Sequence, residues 1–359
     1  MADAAPATMM AAVIHEHGGP EVIRYESFPK PVAGTGDVVL RVRATSLNRL
    51  DLWARSGPPV KIFPWNDHEF PIISGSDCAG EVVELGSGVT NVDVGDPVVF
   101  YPSLYCGTCD YCLAGEQTMC LHYEIFGEQT HGAMAEFAAV PANQLIKLAD
   151  NVSFESAAAM PVAYTTAWRM IGTCGEIQAG DSVLVLGVGG GVGSAALTMA
   201  VGAGANVLVT AGTAEKRDKA IALGAAAAFD HNTGPFSQWV MDQTNGRGVD
   251  IVVDPLGATW QESIRSLARN GRLVVCGATA GNKPEFDVRE LYQRHRRIYG
   301  APMGNWSDFT NVIGRLNSGQ ITPVIDSVFP LSEIADAHRR AESRESFGKV
   351  VVTPQEMFA

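Results

Sequence analysis

Two patterns of hydrophobic and polar residues divide the chain. From about residue 9 to 140, short apolar runs such as VVLRVRATSL and CAGEVVELGSGV alternate with Gly- and Pro-rich turns. This pattern predicts a compact, partly antiparallel β domain. From about 162 to 300, apolar strands such as VLVLG and NVLVTA alternate with Ala-rich helical segments. That alternation is typical of an α/β fold with a parallel sheet.

After residue 300 the pattern of hydrophobic and polar residues again resembles that of residues 9–140. SDFTNVIGRLNSG and IADAHRRAES predict helices, while VIDSVF and GKVVVT predict short strands. We therefore expect residues 301–359 to fold back onto residues 1–162 and complete one domain, with residues 163–300 forming the other. The sequence contains no repeat or low-complexity linker, so we expect two coupled domains with a cleft between them.

Composition narrows the range of partners. A length of 359 residues with 46% apolar residues supports two cores. The net charge of −13 opposes binding to nucleic acid or anionic membranes. The sequence offers no run of about 18 apolar residues and no basic N-terminal leader, which predicts a cytoplasmic protein acting on a small molecule. Four of the seven cysteines crowd into one short segment, a distribution that favours reduced thiols over a disulfide framework.

A glycine-rich turn follows the first strand of the α/β region. In VLVLGVGGGVGSAA, the residues expected to contact a cofactor are Gly187, Gly190, Gly191, Val192 and Gly193. Glycines between a strand and a helix permit a tight turn and close approach to pyrophosphate, which the helix N-terminal amides then bind. Strand, turn, helix and second strand together predict a dinucleotide-binding site.

The end of the next strand indicates which dinucleotide binds. NAD sites usually place an acidic residue there, but this chain has Thr210, Ala211, Gly212 and Thr213. The nearest cations, Lys216 and Arg217, would attract a 2′-phosphate. We therefore predict NADPH rather than NADH. The alternative is that both cations only solvate the start of a helix.

Cys106, Cys109, Cys112 and Cys120 follow the spacing C-x2-C-x2-C-x7-C within a lobe at about residues 104–121. Four thiolates around one tetrahedral Zn²⁺ form a closed site that stabilises structure and leaves no position for substrate. The lobe is therefore predicted to hold one structural zinc, with chemistry elsewhere.

These features together resemble the medium-chain dehydrogenase/reductase superfamily across essentially the whole chain. The resemblance implies a GroES-like N-terminal domain and a Rossmann domain. Zinc alcohol dehydrogenases of that superfamily hold a second, catalytic zinc with Cys, His and Cys ligands. The matching positions here are Asn48, Ser76 and Pro161, which do not form a zinc ligand set. Leu50 and Trp53 stand where a proton relay would be.

The segments SLNRLDLWARSG, GSDCAGEVVELGSGV and MPVAYTTAWRMI are similar to the quinone oxidoreductase and enoyl reductase branch. That resemblance implies NADPH-dependent reduction of a quinone or an activated C=C bond without a catalytic metal, in a homodimer or homotetramer. Many members of the branch lack the four-cysteine lobe, so the subfamily stays open.

The resemblance and the chemistry suggest particular site residues. Asn48 is the candidate donor to the substrate carbonyl; its alternative role is a turn residue satisfied by backbone. Thr165 is expected against the nicotinamide, or else is a buried hydroxyl at a helix start. Arg49 is a candidate for the pyrophosphate, or else forms a surface salt bridge. Backbone neighbours of the nicotinamide are expected where the fourth and fifth strands end, at Gly257, Gly277 and Ala278.

Three hypotheses for function follow. The leading one is an NADPH-dependent oxidoreductase without a catalytic metal. The second is a zinc-type alcohol or aldehyde dehydrogenase with atypical ligands. The third is a nucleotide-binding regulatory protein that does not catalyse a reaction, because a fold that binds a cofactor need not turn it over.

Overall fold

A computed structural model describes residues 7–57 and 69–354. The chain forms two compact units: unit 1 comprises Met1–Val162 and Asn305–Ala359, and unit 2 comprises Ala163–Gly304. Unit 2 therefore extends beyond residue 300, where the sequence pattern placed its end. Within unit 2, Thr166 donates a hydrogen bond to the Met303 sulfur at 3.8 Å, which ties these last residues to the unit.

The first part of unit 1 is built mainly from short strands. They are β1 (Thr8–Ile14), β2 (Ile23–Pro29), β3 (Asp37–Leu47), β4 (Ile72–Ile73), β5 (Ala79–Leu85), β6 (Pro97–Phe100), β7 (Ser103–Leu104), β8 (Glu124–Ile125), β9 (Phe137–Pro141) and β10 (Leu145–Lys147). The α-helices among them are α1 (Arg49–Ser56), α2 (Asp110–Leu113) and α3 (Phe154–Ala158). Frequent Gly and Pro residues keep these elements short.

Unit 2 alternates strands with helices. Its helices are α4 (Ala163–Trp168), which continues as a π-helix over Arg169–Cys174, then α5 (Gly191–Gly202), α6 (Ala214–Ala222), α7 (Ser237–Gln243), α8 (Trp260–Ser266) and α9 (Val288–Tyr292). Its strands are β11 (Ser182–Val185), β12 (Asn206–Ala211), β13 (Ala227–Asp230), β14 (Val249–Asp254), β15 (Leu267–Val275) and β16 (Arg297–Gly300).

The sheet of unit 2 has the order β13-β12-β11-β14-β15-β16, with every pair parallel. This is the order of a Rossmann sheet, so the predicted fold class is confirmed for this unit. Sequence analysis missed β16, because RIYG is short and directly follows a run of charges. The apolar core includes Leu184, Leu208, Val252 and Leu273.

The last part of unit 1 consists of α10 (Trp306–Asn317), β17 (Ile325–Pro330), α11 (Ile334–Glu342) and β18 (Lys349–Thr353). β18 joins the main sheet of unit 1, whose order is β10-β6-β5-β3-β18-β17, with β9 also paired to β3. It runs antiparallel to β3 with Val350 opposite Leu47. This register carries Lys349, the first residue of β18, to the end of β3.

Candidate active site and cysteine lobe

The glycine-rich turn of unit 2 has the backbone that a pyrophosphate site requires. Gly187 adopts a φ of +61°, in the left-handed region that favours glycine. A Cβ on Gly193 would lie 2.6 Å from the Gly187 carbonyl oxygen, so only glycine allows this approach of helix and turn. Gly190 is the N-cap of α5, and Gly191 and Val192 open the helix. The N–H groups of Gly191 and Val192 lie in the first turn, which makes them available to an anion, whereas the Gly190 N–H donates to the Gly187 carbonyl oxygen at 3.1 Å.

The two predicted phosphate-binding cations occupy different environments. A Cβ on Gly189 would lie 3.0 Å from Lys216 Nζ, which places this ammonium beside the glycine-rich turn. Arg217 instead pairs with Asp230 at 2.9 Å, at the end of β13. Sequence reasoning missed His231, whose Nε2 would lie 2.9 Å from a Cβ on Gly212. The geometry therefore favours Lys216 over Arg217 as the residue nearest the turn.

Thr165 is fully buried in α4, and its hydroxyl makes no hydrogen bond within residues 7–57 and 69–354. A buried hydroxyl without a partner is costly unless a ligand supplies the missing hydrogen bond.

At the ends of β14 and β15, a Cβ on Gly257 would lie 2.9 Å from Ala278 Cα and 3.0 Å from the Gly277 carbonyl oxygen. The structure thus brings together Gly257, Gly277 and Ala278, the three predicted backbone neighbours of the nicotinamide.

A buried cluster of charged and polar side chains, here called the Asp77 cluster, lies in unit 1. Its members are Ser46, Asn48, Asp77 and Lys349. Asp77 Oδ2 accepts hydrogen bonds from Ser46 Oγ, from Asn48 Nδ2 at 2.8 Å and from Lys349 Nζ at 3.0 Å. Lys349 also donates to Asn48 Oδ1 and, at 2.9 Å, to the Leu47 carbonyl oxygen. Asp77 is fully buried and Lys349 is 1% exposed.

The cluster lies where the three sequence segments that match the zinc ligand positions converge. Asp77 follows Ser76, contacts Asn48 through Oδ2, and accepts the Val162 N–H at 2.8 Å through Oδ1. Val162 in turn follows Pro161. Lys349 therefore places an ammonium among the three segments. Because a cation repels a second cation, these residues do not fit a zinc ion. Sequence analysis missed Lys349, since no local motif marks it.

Asn48 is the N-cap residue of α1, and its N–H donates to Asp51 Oδ2 at 2.7 Å. Asp51 Oδ1 accepts the Gly75 N–H at 2.9 Å. Burial raises the pKa of Asp51 to about 6, while the Asn48 N–H acts in the opposite direction. Arg49 opens α1 and is exposed, and Glu342 and Arg344 interact with its charge. Its contact with pyrophosphate stays a prediction.

Glu128 is a further buried residue that sequence analysis missed, and the charge of Asp51 acts on it. It is 2% exposed, and its Oε2 has no hydrogen-bond partner among the described residues. Burial, followed by the charge of Asp51, raises the pKa of Glu128 to about 8. Glu128 is therefore mostly a neutral carboxylic acid at neutral pH.

We expect Glu128→Gln to flatten the dependence of unfolding free energy on pH. The folded protein binds the Glu128 proton more tightly than the unfolded chain does. The stabilisation that this proton gives the folded state is complete below the ordinary pKa of 4.5 and is lost as the pH rises toward 8. That loss is on the order of 4 kcal/mol in the wild type. Urea titrations from pH 4.5 to 8.5 measure it. The exposed Glu124→Gln is the control, and a Glu128→Gln profile parallel to wild type would contradict the assignment.

The four lobe cysteines converge in space, with their sulfur atoms within 4.8 Å of one another. Cys106 Sγ and Cys112 Sγ are 3.9 Å apart. Four ligands at about 2.3 Å around a tetrahedral zinc would be about 3.8 Å apart, so the lobe fits this ion. No other group of three or more potential metal ligands lies this close together in the described part of the chain.

Hydrogen bonds also prepare the lobe for thiolate ligands. The N–H groups of Cys106 and His122 both donate to Cys120 Sγ at 3.3 Å. The N–H and hydroxyl of Thr108 lower the pKa of Cys106 to about 5, whereas burial raises the pKa of Cys112 to about 12. Four adjacent thiolates repel each other, so a divalent cation is needed to hold them all ionised.

Comparison with protein families agrees with this geometry. Residues 34–150 match the alcohol dehydrogenase GroES-like domain, and residues 191–318 match the zinc-binding dehydrogenase family. The chain is 32% identical to a zinc-type alcohol dehydrogenase-like protein of Schizosaccharomyces pombe, over 95% of this chain and 98% of that protein.

Further relatives differ in the activity that their names state. The crotonyl-CoA carboxylase/reductase of Cereibacter sphaeroides is 29% identical, over 90% of this chain and 82% of that protein. The crystal structure of an NAD-dependent alcohol dehydrogenase superposes with a TM-score of 0.89 at 36% identity, covering 97% of this chain and all of that one.

The chain therefore belongs to the medium-chain dehydrogenase/reductase superfamily. It is an oxidoreductase with a GroES-like domain in unit 1 and a Rossmann domain in unit 2. Within the described residues, no helix is long and apolar enough to cross a membrane.

Proposed function

We propose that this protein is an NADPH-dependent reductase of activated alkenes or quinones that works without a catalytic metal. The observation that carries the proposal is the buried ammonium of Lys349 among Asn48, Ser76 and Pro161–Val162. Asn48, Ser76 and Pro161 offer no set of zinc donors, and the one carboxylate of the Asp77 cluster is already paired with the ammonium at 3.0 Å. The similarity to a crotonyl-CoA carboxylase/reductase supports the same class of reaction.

Without a metal, the side chains themselves have to bind the electron-withdrawing oxygen of the substrate. Asn48 is the partly exposed member of the Asp77 cluster, while the others are buried. Its amide can donate a hydrogen bond to a carbonyl oxygen, and that bond strengthens as negative charge develops on the oxygen during reduction. A fixed donor needs no reorganisation in the transition state.

Unit 2 supplies the cofactor site. When bound, the reduced nicotinamide supplies the hydride. Residues 191–193 offer N–H groups to the pyrophosphate, and the buried Thr165 hydroxyl, unpartnered among the described residues, is available to the nicotinamide half. In the lobe, Cys106, Cys109, Cys112 and Cys120 would hold one structural zinc.

The proposal is tested by following NADPH absorbance with enones, enoyl-CoA esters and quinones, beside primary and secondary alcohols with NADP⁺. We expect turnover with the first panel and none with the alcohols. Turnover of alcohols alone would support the dehydrogenase alternative, which the names of several relatives favour. Tight NADPH binding without turnover of either panel would indicate a regulatory protein.

We expect Lys216→Ala to raise KM for NADPH by about 10- to 100-fold and KM for NADH by less than about threefold. The reason is that one charge-assisted contact to the 2′-phosphate is worth about 1.5 to 3 kcal/mol. Lys219 on the same helix pairs with Glu215 at the surface, so Lys219→Ala is the matched control. Equal losses for both cofactors in Lys216→Ala would reject the assignment.

A further inference from the structure

The Asp77 cluster fixes the orientation of the Asn48 side-chain amide. The amide oxygen accepts from the Lys349 ammonium, and the amide nitrogen donates to Asp77 Oδ2 at 2.8 Å. Rotating the amide by half a turn would place its N–H groups against the ammonium and its oxygen against the carboxylate. Both contacts would then be repulsive, so the ion pair permits one orientation.

The same geometry leaves one amide hydrogen weakly engaged. The nitrogen of Asn48 carries two hydrogens; one is directed to Asp77, and the remaining contact, to the Ser46 carbonyl oxygen, is 3.5 Å long. That length is at the outer limit of a hydrogen bond. Ser46, Asp77 and Lys349 are buried and Asn48 is partly exposed, so this weakly engaged hydrogen is the donor that the cluster has left to offer a substrate.

The ammonium itself is unsuited to contact the substrate. Its three donors are directed to the Leu47 carbonyl oxygen, Asn48 Oδ1 and Asp77 Oδ2. It is 1% exposed, so its effect on a reaction has to pass through Asn48. The buried charge pair is costly to desolvate. Its role in orienting the partly exposed Asn48 amide would account for its presence.

We propose that Lys349 and Asp77 are positioning residues that hold Asn48 with one N–H directed to the substrate carbonyl oxygen. The inference rests on the proposed reductase function and adds the residues that preorganise its donor. It also explains why Lys349 lies among segments that hold a metal in zinc-dependent relatives: a fixed ammonium orients a neutral donor there.

The test is a mutant cycle on kcat with NADPH and an enone. One arm is Asn48→Ala, the second is Asp77→Asn with Lys349→Met, and the third combines all three substitutions. The paired substitution removes both charges at once, so no unpaired charge is left to unfold the protein. Lys147→Met, which removes an exposed lysine paired with Asp96, is the control for loss of a lysine. Each variant is first checked for zinc content and thermal unfolding.

We expect Asn48→Ala to lower kcat by about 100-fold, the size typical of one lost oxyanion donor. The charge-pair variant should lower kcat by about 10-fold or more while KM for NADPH stays within about threefold. The triple variant should fall no more than about threefold below Asn48→Ala, because the pair acts through that amide. A purely structural pair would leave kcat of the folded variant unchanged.

Wild-type kcat in the folded charge-pair variant, or losses that multiply in the triple variant, would overturn the inference while leaving the reductase function intact. Absence of wild-type turnover with every alkene and quinone would reject the proposed function and this inference together.

Discussion

Asp77→Asn is expected to lower the free energy of unfolding by about 3 to 5 kcal/mol. The amide is nearly the same size as the carboxylate, so the loss reports charge rather than packing. In the wild type, Asp77 is the counter-ion of Lys349 at 3.0 Å, and both side chains are buried. Removing one charge leaves the other in a low-dielectric site without compensation.

Two further variants separate this cause from a general weakening of unit 1. Adding Lys349→Met to Asp77→Asn should recover most of the loss, because no buried charge then remains. Lys147→Met removes an exposed pair with Asp96 and should cost no more than about 1 kcal/mol. Urea unfolding at pH 7 measures all three, and a loss in Asp77→Asn as small as in Lys147→Met would show that the pair is not buried as described.

Cys112→Ser is expected to release zinc and lower the midpoint of thermal unfolding by roughly 10 °C. Cys112 is one of the two buried thiols of the lobe, with Cys120, and lies 3.9 Å from Cys106 Sγ. A serine hydroxyl does not replace a thiolate ligand, and binding energy of a structural zinc is folding energy. A loss of about 3 to 5 kcal/mol corresponds to that shift in a protein of this size.

Cys174→Ser, outside the lobe in unit 2, is the matched thiol control and should keep its zinc. The fraction of Cys112→Ser that stays folded should still consume NADPH with an enone, because the lobe has no part in the reaction proposed here. A folded, cofactor-loaded Cys112→Ser protein without any turnover would contradict a structural role for the metal.

Features encoded in short stretches of sequence could be predicted well. GVGGGVG after an apolar strand and C-x2-C-x2-C-x7-C each specify their local geometry, because the residues involved are neighbours in the chain. The structure places Gly187 and Gly190 in the strand-to-helix turn and Gly193 in the first turn of α5, and it brings the four sulfur atoms within 4.8 Å of one another. The parallel sheet of unit 2 likewise follows from alternating strands and helices, whereas its strand order comes from the structure.

The centre of the candidate site could not be predicted in the same way. Lys349 is 301 positions from Asn48 and 272 from Asp77. GKVVVT alone predicts only a strand. Its lysine reaches Asn48 because β18 pairs with β3 in the register that sets Val350 opposite Leu47. Glu128 was missed for a related reason, since its pKa depends on burial and on Asp51.

Zinc content measured together with turnover tests the central claim most directly. We expect one zinc per chain in the folded enzyme, and NADPH consumption with an enone that added zinc does not raise. Two zinc ions per chain, with turnover that disappears when the more weakly held ion is removed, would contradict the claim that Lys349 and Asn48 stand in place of a catalytic metal.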